Sequence, residues 1–182
     1  MANRTYPPSA VIIHWLLAVS ILFLFVSSWW MLALPLPSKL LRFREFPFQL
    51  HKNIGITLAF LLLVLLYVRS RYGSTRDAAA QELSPLTRRL ATVDHIVLYV
   101  LIFAACLSGY LSSSYSGWGT TLWWVIDLPN WGREDEELNI LYSDIHLWTC
   151  WGLLAFVAVH ISGALYHAFR NDNVVRRMLR LW

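Results

Sequence analysis

The chain has 182 residues, of which 57% are hydrophobic and only 14% charged, with a formal net charge of +4 and a mean hydropathy of +0.49. Ordinary soluble domains are roughly 25% charged, so a soluble globular fold is excluded: there is too little polar surface to cover this much apolar mass. The composition calls for a bilayer.

Four apolar segments carry it, at about 10–34, 51–68, 95–111 and 145–169. Each is near or above the roughly 18 to 20 residues that cross ~30 Å of hydrocarbon, the third reaching that length once its flanks are counted. The expectation is an all-α protein, a four-helix transmembrane bundle built from residues 1–182 as a single integral membrane domain.

In chain order, the first segment reads as a retained span: its apolar run is too long for a signal peptide, and Ser27-Ser28-Trp29-Trp30 is not a small-x-small cleavage site. Pro35, Pro37 and Pro47 end that span and shape a short basic connection. The second span opens at His51, and Ser84-Pro85 starts the segment that runs into the third. In the long third loop, Trp118, Trp123, Trp124 and Trp131 suit a membrane interface, where an indole buries its ring and keeps its N–H hydrogen-bonded. Glu134-Asp135-Glu136-Glu137 reads as the solvated start of the last helix rather than as a metal or partner site.

Charge sets the expected topology. Arg4, the second loop with Arg69, Arg71, Arg76, Arg88 and Arg89, and the tail with Arg170, Arg176, Arg177 and Arg180 hold ten of the fifteen Lys and Arg residues. The positive-inside bias puts that side, with both termini, in the cytoplasm, and the expected location is a bacterial inner membrane. The basic residues lie at membrane edges with no soluble domain to organise them, so nucleic acid is excluded as a partner, and membrane lipid is the expected surrounding. No nucleotide loop, helical HExxH, GxSxG elbow or paired-cysteine zinc pattern is present.

What remains is histidine chemistry, carried by His14, His51, His95, His146, His160 and His167. His146 and His160 are fourteen residues apart within one span, almost four helical turns, which places both imidazoles on one helix face roughly 21 Å apart. Metal-binding side chains inside a span are costly and are usually kept for function. A neutral imidazole is a good axial donor to haem iron, and a bundle can present one histidine from each of two facing helices. Two stacked positions therefore point to two haems, one near each surface. His51 and His146 share the outer level and make a natural pair. At the other level His14, His95, His160 and His167 compete for one iron, and depth alone leaves the choice open. A single histidine near a helix end, such as His95 or His167 taken alone, is more often an interfacial hydrogen-bonding residue. Gly55, one turn after His51, and Gly152 and Gly163 leave room for a flat macrocycle or for close helix packing. Cys106 and Cys150 belong to no CxxCH motif and read as buried thiols, which argues against covalent haem.

The stretches IIHWLLA (Ile12 to Ala18), LHKNIGI (Leu50 to Ile56), DHIVLYVLIFA (Asp94 to Ala104), IHLW (Ile145 to Trp148) and VHISGALYHAFRNDNVVRRM (Val159 to Met178) resemble the bacterial di-haem cytochrome b561 family across all four spans. That family is related to the cytochrome b subunits of nickel-iron hydrogenases and formate dehydrogenases. The resemblance implies two haem b groups, with His14 and His160 on the cytoplasmic-side iron and His51 and His146 on the periplasmic-side iron. Its best characterised branch, superoxide oxidase, implies oxidation of periplasmic superoxide and reduction of ubiquinone. On that basis His167 and His95 are candidates to hydrogen-bond or protonate a quinone, with Arg170, Asn171 and Asp172 nearby.

Lys39, Arg42, Arg44 and Lys52 form a basic patch that suits a small anion, and Lys52, beside His51, is the candidate nearest the chemistry. Across both outer loops, however, five positive residues face at least six acidic ones, so net charge supplies no steering. Two further readings stand beside superoxide oxidation. One is a quinol-linked cytochrome b that passes electrons to a periplasmic redox protein docked on the acidic, Trp-rich third loop. The other is a non-catalytic haem-binding subunit of a larger complex.

Overall fold

The computed structural model describes residues 8–33, 45–71 and 84–170. Helix α1 spans Pro8–Leu32, α2 Glu45–Arg71, α3 Pro85–Tyr115 and α4 Glu136–Phe169, with two-residue strands β1 at Thr121–Leu122 and β2 at Ile126–Asp127 between the last two helices. All four helices are long and apolar enough to cross a membrane. The protein is a helical transmembrane bundle.

The helices outrun the apolar segments, most of all at the start of α3 and α4. Local chemistry explains both extensions. Ser84 caps α3, its hydroxyl accepting from Thr87 N–H, and Pro85 occupies the first turn, where a missing N–H costs nothing. Asp135 caps α4 by accepting from Leu138 N–H, and Glu136 and Glu137 sit in the first turn, where the helix dipole favours negative charge. The acidic block is thus the solvated helix start that its sequence indicated. At 31 residues, α3 spans with length to spare.

The usual inside-out rule of soluble proteins is reversed. Val19, Leu22, Phe60, Val100 and Trp148 are among many large apolar side chains on the outer surface, as lipid requires, while Asn53, Ser108 and Ser114 are buried. A narrow core of Leu17, Ile21, Leu58, Leu62, Ile102 and Leu153 runs between the helices. Packing is uneven: α3 lies along α4, α1 along α2, and α2 against α3, while α4 makes only sparse contact with α1 and α2. Leu153, 4% exposed, is the buried residue of α4 and joins this core midway between His146 and His160. Phe156 and Val157 pack against the same core.

One end of the bundle is closed by the β1–β2 hairpin. Thr121 pairs with Asp127 and Leu122 with Ile126. The turn forces Trp123 and Trp124 to positive φ, 46° and 59°, at roughly 1–2 kcal/mol each. Asn53, fully buried at 0% exposure, offsets this. Its amide donates to the Gln49 carbonyl at 2.8 Å and to the Thr121 carbonyl at 3.1 Å, and its Oδ1 accepts from Trp123 N–H at 2.7 Å. Trp123 Nε1 donates to Thr57 Oγ1 at 3.2 Å, and Trp124 stacks on Phe46 with ring centroids 5.4 Å apart.

Replacing Asn53 with Ala leaves buried backbone groups of the hairpin unpaired, at about 1–3 kcal/mol for each. Thermal unfolding in detergent should show a clear loss of stability, with the Trp fluorescence of the hairpin changing first. A midpoint equal to that of the unsubstituted protein would refute this role.

Candidate functional site

The two levels expected from the His146–His160 interval are both formed, and each histidine of α4 faces one from a helix that α4 barely touches. Towards the hairpin end, the His51 and His146 ring centroids are 6.2 Å apart. Towards the opposite end, those of His14 and His160 are 6.1 Å apart. Two imidazoles sharing one metal through bonds of roughly 2 Å hold their centroids on the order of 6 Å apart, so both pairs have the spacing of axial partners. Both crossings lie between α4 and the α1–α2 pair.

The hairpin-end pair borders two cavities of about 590 and 600 Å³ that share Phe48, His51, Gly55, Ala105, Cys106 and His146. Each lies in the size range of small-molecule sites. One reaches out to Lys52, Trp118 and Thr120 beneath the hairpin; the other runs inward along Ser28, Cys150 and Leu153.

Three of the four imidazoles have their orientation set by a neighbour. His146 Nδ1 donates to the Ala105 carbonyl at 2.9 Å, with Ser108 Oγ at 3.4 Å. His51 Nδ1 lies 3.5 Å from Ser28 Oγ, whose hydroxyl is engaged by the Leu24 carbonyl at 2.5 Å. His160 Nδ1 donates to Asp94 Oδ2 at 2.8 Å. A histidine that donates from Nδ1 keeps its Nε2 lone pair for a metal. In His146 that nitrogen has Cys150 Sγ 3.6 Å away. Both cysteines are free thiols.

Glycine has two roles here. At Gly109 a Cβ would stand 3.0 Å from His146 Cε1 and 3.1 Å from its Nδ1, so any side chain there would press on that ring and require it to give by a few tenths of an ångström. A Cβ at Gly55 or Gly163 would meet nothing within 4 Å, which leaves space beside the ligand helices, whereas one at Gly152 would touch Leu101 at 3.6 Å and serves helix packing.

The remaining candidates fall into place around these pairs. His95 stands edge-on to His160 at 5.1 Å, closer than axial partners, and its Nδ1 donates back to the Ala91 carbonyl at 2.5 Å. This geometry suits His14 rather than His95 as the partner of His160. His95 also neighbours Tyr99, whose hydroxyl is bonded by Arg69. His167 lies in the last turn of α4 beside the Tyr166 ring, and Arg170 is held by the Tyr166 hydroxyl at 2.6 Å. Lys52 Nζ donates to the carbonyls of Trp118 at 3.0 Å and Gly119 at 3.4 Å, so it pins the loop that roofs the outer cavity as well as lining that cavity. Lys39, Arg42, Arg44, Asn171 and Asp172 lie outside the described residues.

Asp94 and Gly109 were missed by sequence reasoning. A carboxylate one residue before His95 at the edge of an apolar span was the available signal for Asp94; Gly109 offered none, because only the folded α3–α4 contact brings it to His146.

A sequence model of prokaryotic cytochrome b561 matches residues 5–181. The chain belongs to that family. It is 30% identical over 167 residues to cytochrome b561 homolog 2 of Escherichia coli (strain K12), covering 91% of this chain and 86% of that protein. It is 26% identical over 137 residues to cytochrome b561 homolog 1 of the same organism, covering 72% and 73% respectively. Membership makes this an integral membrane protein of haem b electron transfer, in contact with lipid. The residues present fit that cofactor: imidazole pairs at axial spacing, Nδ1 donors that leave Nε2 free, and an apolar slot beside a glycine.

His146→Ala should abolish haem binding at the hairpin end only, and His160→Ala at the opposite end only, each halving the haem content measured by pyridine haemochrome; unchanged content in either variant refutes the pairings. Gly109→Val should crowd His146 and lower occupancy of the hairpin-end slot while sparing the other, so a full haem complement there would show that the close approach is not required.

Proposed function

We propose that this cytochrome binds two b haems, through His51 with His146 and His14 with His160, and conducts electrons from superoxide at the hairpin face to ubiquinone at the opposite face. The observation that carries this reading is the pair of His–His crossings at 6.2 and 6.1 Å, built on one helix at a fourteen-residue interval. When bound, b haems with both axial positions filled by histidine supply one-electron transfer rather than oxygen binding. The positive-inside bias of the arginines supports a periplasmic hairpin face with both termini cytoplasmic, in a bacterial inner membrane.

The chain's own residues give each end its role. At the hairpin face the cavity that reaches Lys52 supports entry of a small anion toward His51 and His146. Two superoxide anions each lose one electron there and leave as dioxygen. At the opposite face one ubiquinone takes up two electrons and two protons to become ubiquinol. His167 and His95, on either side of His160 in sequence, are the candidates to hydrogen-bond the quinone or hand it protons. Leu153, in the apolar core, lies between the two levels.

A second reading has its own observation. Glu134, Glu136 and Glu137 are exposed beside the exposed Trp118 and Trp131, and the Lys52 ammonium is already held by two carbonyls. An electropositive periplasmic redox protein docking there would receive electrons from a quinol.

Reduction of the purified, oxidised protein separates the two. Superoxide generated in solution should reduce the haems rapidly, and superoxide dismutase should abolish that reduction. No reduction by superoxide alongside fast reduction by a quinol would reject the first reading in favour of the second. His167→Ala should keep the haem spectrum and slow quinone reduction about tenfold or more, the lower range for a positioned acid or base being about a hundredfold; full activity would remove His167 from the site.

A further inference from the structure

The acceptors behind the histidines of α4 differ in charge. At the hairpin end His146 Nδ1 donates to the neutral Ala105 carbonyl, and His51 Nδ1 faces the neutral Ser28 hydroxyl. At the opposite end His160 Nδ1 donates to a carboxylate, Asp94 Oδ2, at 2.8 Å. That carboxylate is 14% exposed against 28% for His160. Its second oxygen, Oδ1, is buried without a hydrogen-bond partner among the described residues.

A carboxyl group at the edge of a span is expensive to keep, and more so with one oxygen unsatisfied. Asp94 is not there to cap a helix, since it lies in the third turn of α3, well past the Ser84 cap. Nor does it pair with its neighbour His95, whose Nδ1 is spent on the Ala91 carbonyl. The hydrogen bond Asp94 does make is aimed at His160. A charge-assisted bond of this kind is roughly twice as strong as a neutral one. A carboxylate behind a metal-binding imidazole fixes its tautomer, locks its ring orientation and raises its basicity.

We propose that Asp94 is a positioning residue for His160, whose carboxylate strengthens that imidazole as an electron donor to iron and thereby lowers the reduction potential of the haem it binds, a device absent from the hairpin-end pair. This rests on the bis-histidine assignment above. Greater donor strength favours the ferric over the ferrous state, because the higher charge gains more from a basic ligand. The difference between charged and neutral acceptors then contributes to the potential step between the two levels.

The test is a redox titration of the purified haem-loaded protein with Asp94→Asn, which keeps the size and an acceptor oxygen but removes the charge. One of the two midpoint potentials should rise, by at least a tenfold shift in the ferric–ferrous equilibrium, which is ~59 mV for one electron. The other should stay in place, and one set of low-spin ferric EPR g-values should move with the affected haem. Asp94→Glu, which restores the charge, should bring that potential back toward the original value.

Unchanged potentials and g-values in the amide variant overturn the proposal, and so does an equal shift of both haems, which marks a general effect. Should the amide variant bind a single haem, Asp94→Glu decides: a second haem at the original potential supports the proposal, and its absence overturns it. His160→Ala distinguishes the two levels of the argument. Two haems retained in that variant would remove the ligand assignment itself; one haem lost there, with a silent Asp94→Asn, would remove only the role of Asp94.

Discussion

Helix α4 packs along α3 and makes only sparse contact with α1 and α2, and the rest of the structure is organised around that asymmetry. A transmembrane helix gains little from apolar contact, because lipid tails solvate leucine as well as a neighbouring helix does. It therefore stays attached by one extensive interface, with α3, and by Leu153, Phe156 and Val157, which join the core near the middle of the span. The four imidazoles meet in pairs on either side of these residues. At the hairpin end the cavities beside His51 and His146 form a largely apolar slot with few polar groups.

Imidazoles in such a slot need their second nitrogen satisfied, and the bundle does this from α1 and α3. A serine hydroxyl, a backbone carbonyl and a carboxylate each take one Nδ1. Gly109 leaves the His146 ring room to lie against α3, where its Nδ1 reaches the Ala105 carbonyl. At the hairpin end the same economy appears in Asn53, which ties strained backbone at Trp123 to α2 from a fully buried position. Polar groups are few in this protein, and nearly every buried one serves either the slot or the loop that roofs it.

Electrostatics define an electron path better than they define what feeds it. In the sequence the positive and negative residues of the first and third loops nearly balance, and Lys52, beside His51, is engaged by the loop it supports. Any attraction for an anion is local, confined to the cavity mouth beneath Trp118 and Thr120. Exposed acids a short distance away favour a different, larger visitor. The two readings of the reaction thus differ in which part of one surface they use, while sharing the path behind it.

The number of spans, their order and the two-level arrangement on α4 were legible in the sequence, because apolar length and a fourteen-residue interval are local properties that a helix converts directly into position. The segment start at Ser84-Pro85 and the solvated acidic start of α4 were legible for the same reason, as short-range chemistry. His51 opposite His146 followed from counting depth along antiparallel helices. The choice of His14 over His95 could not be made that way and came with the family resemblance; lateral placement of the helices puts His95 on the helix that packs along α4 and His14 on α1, with its ring 6.1 Å from that of His160. Asp94, Gly109 and Leu153 belong to the same class. Each is unremarkable in its own segment and acquires its role from a contact between helices far apart in sequence, and such contacts are decided by the rotation of each helix about its axis, which only the packed tertiary structure fixes.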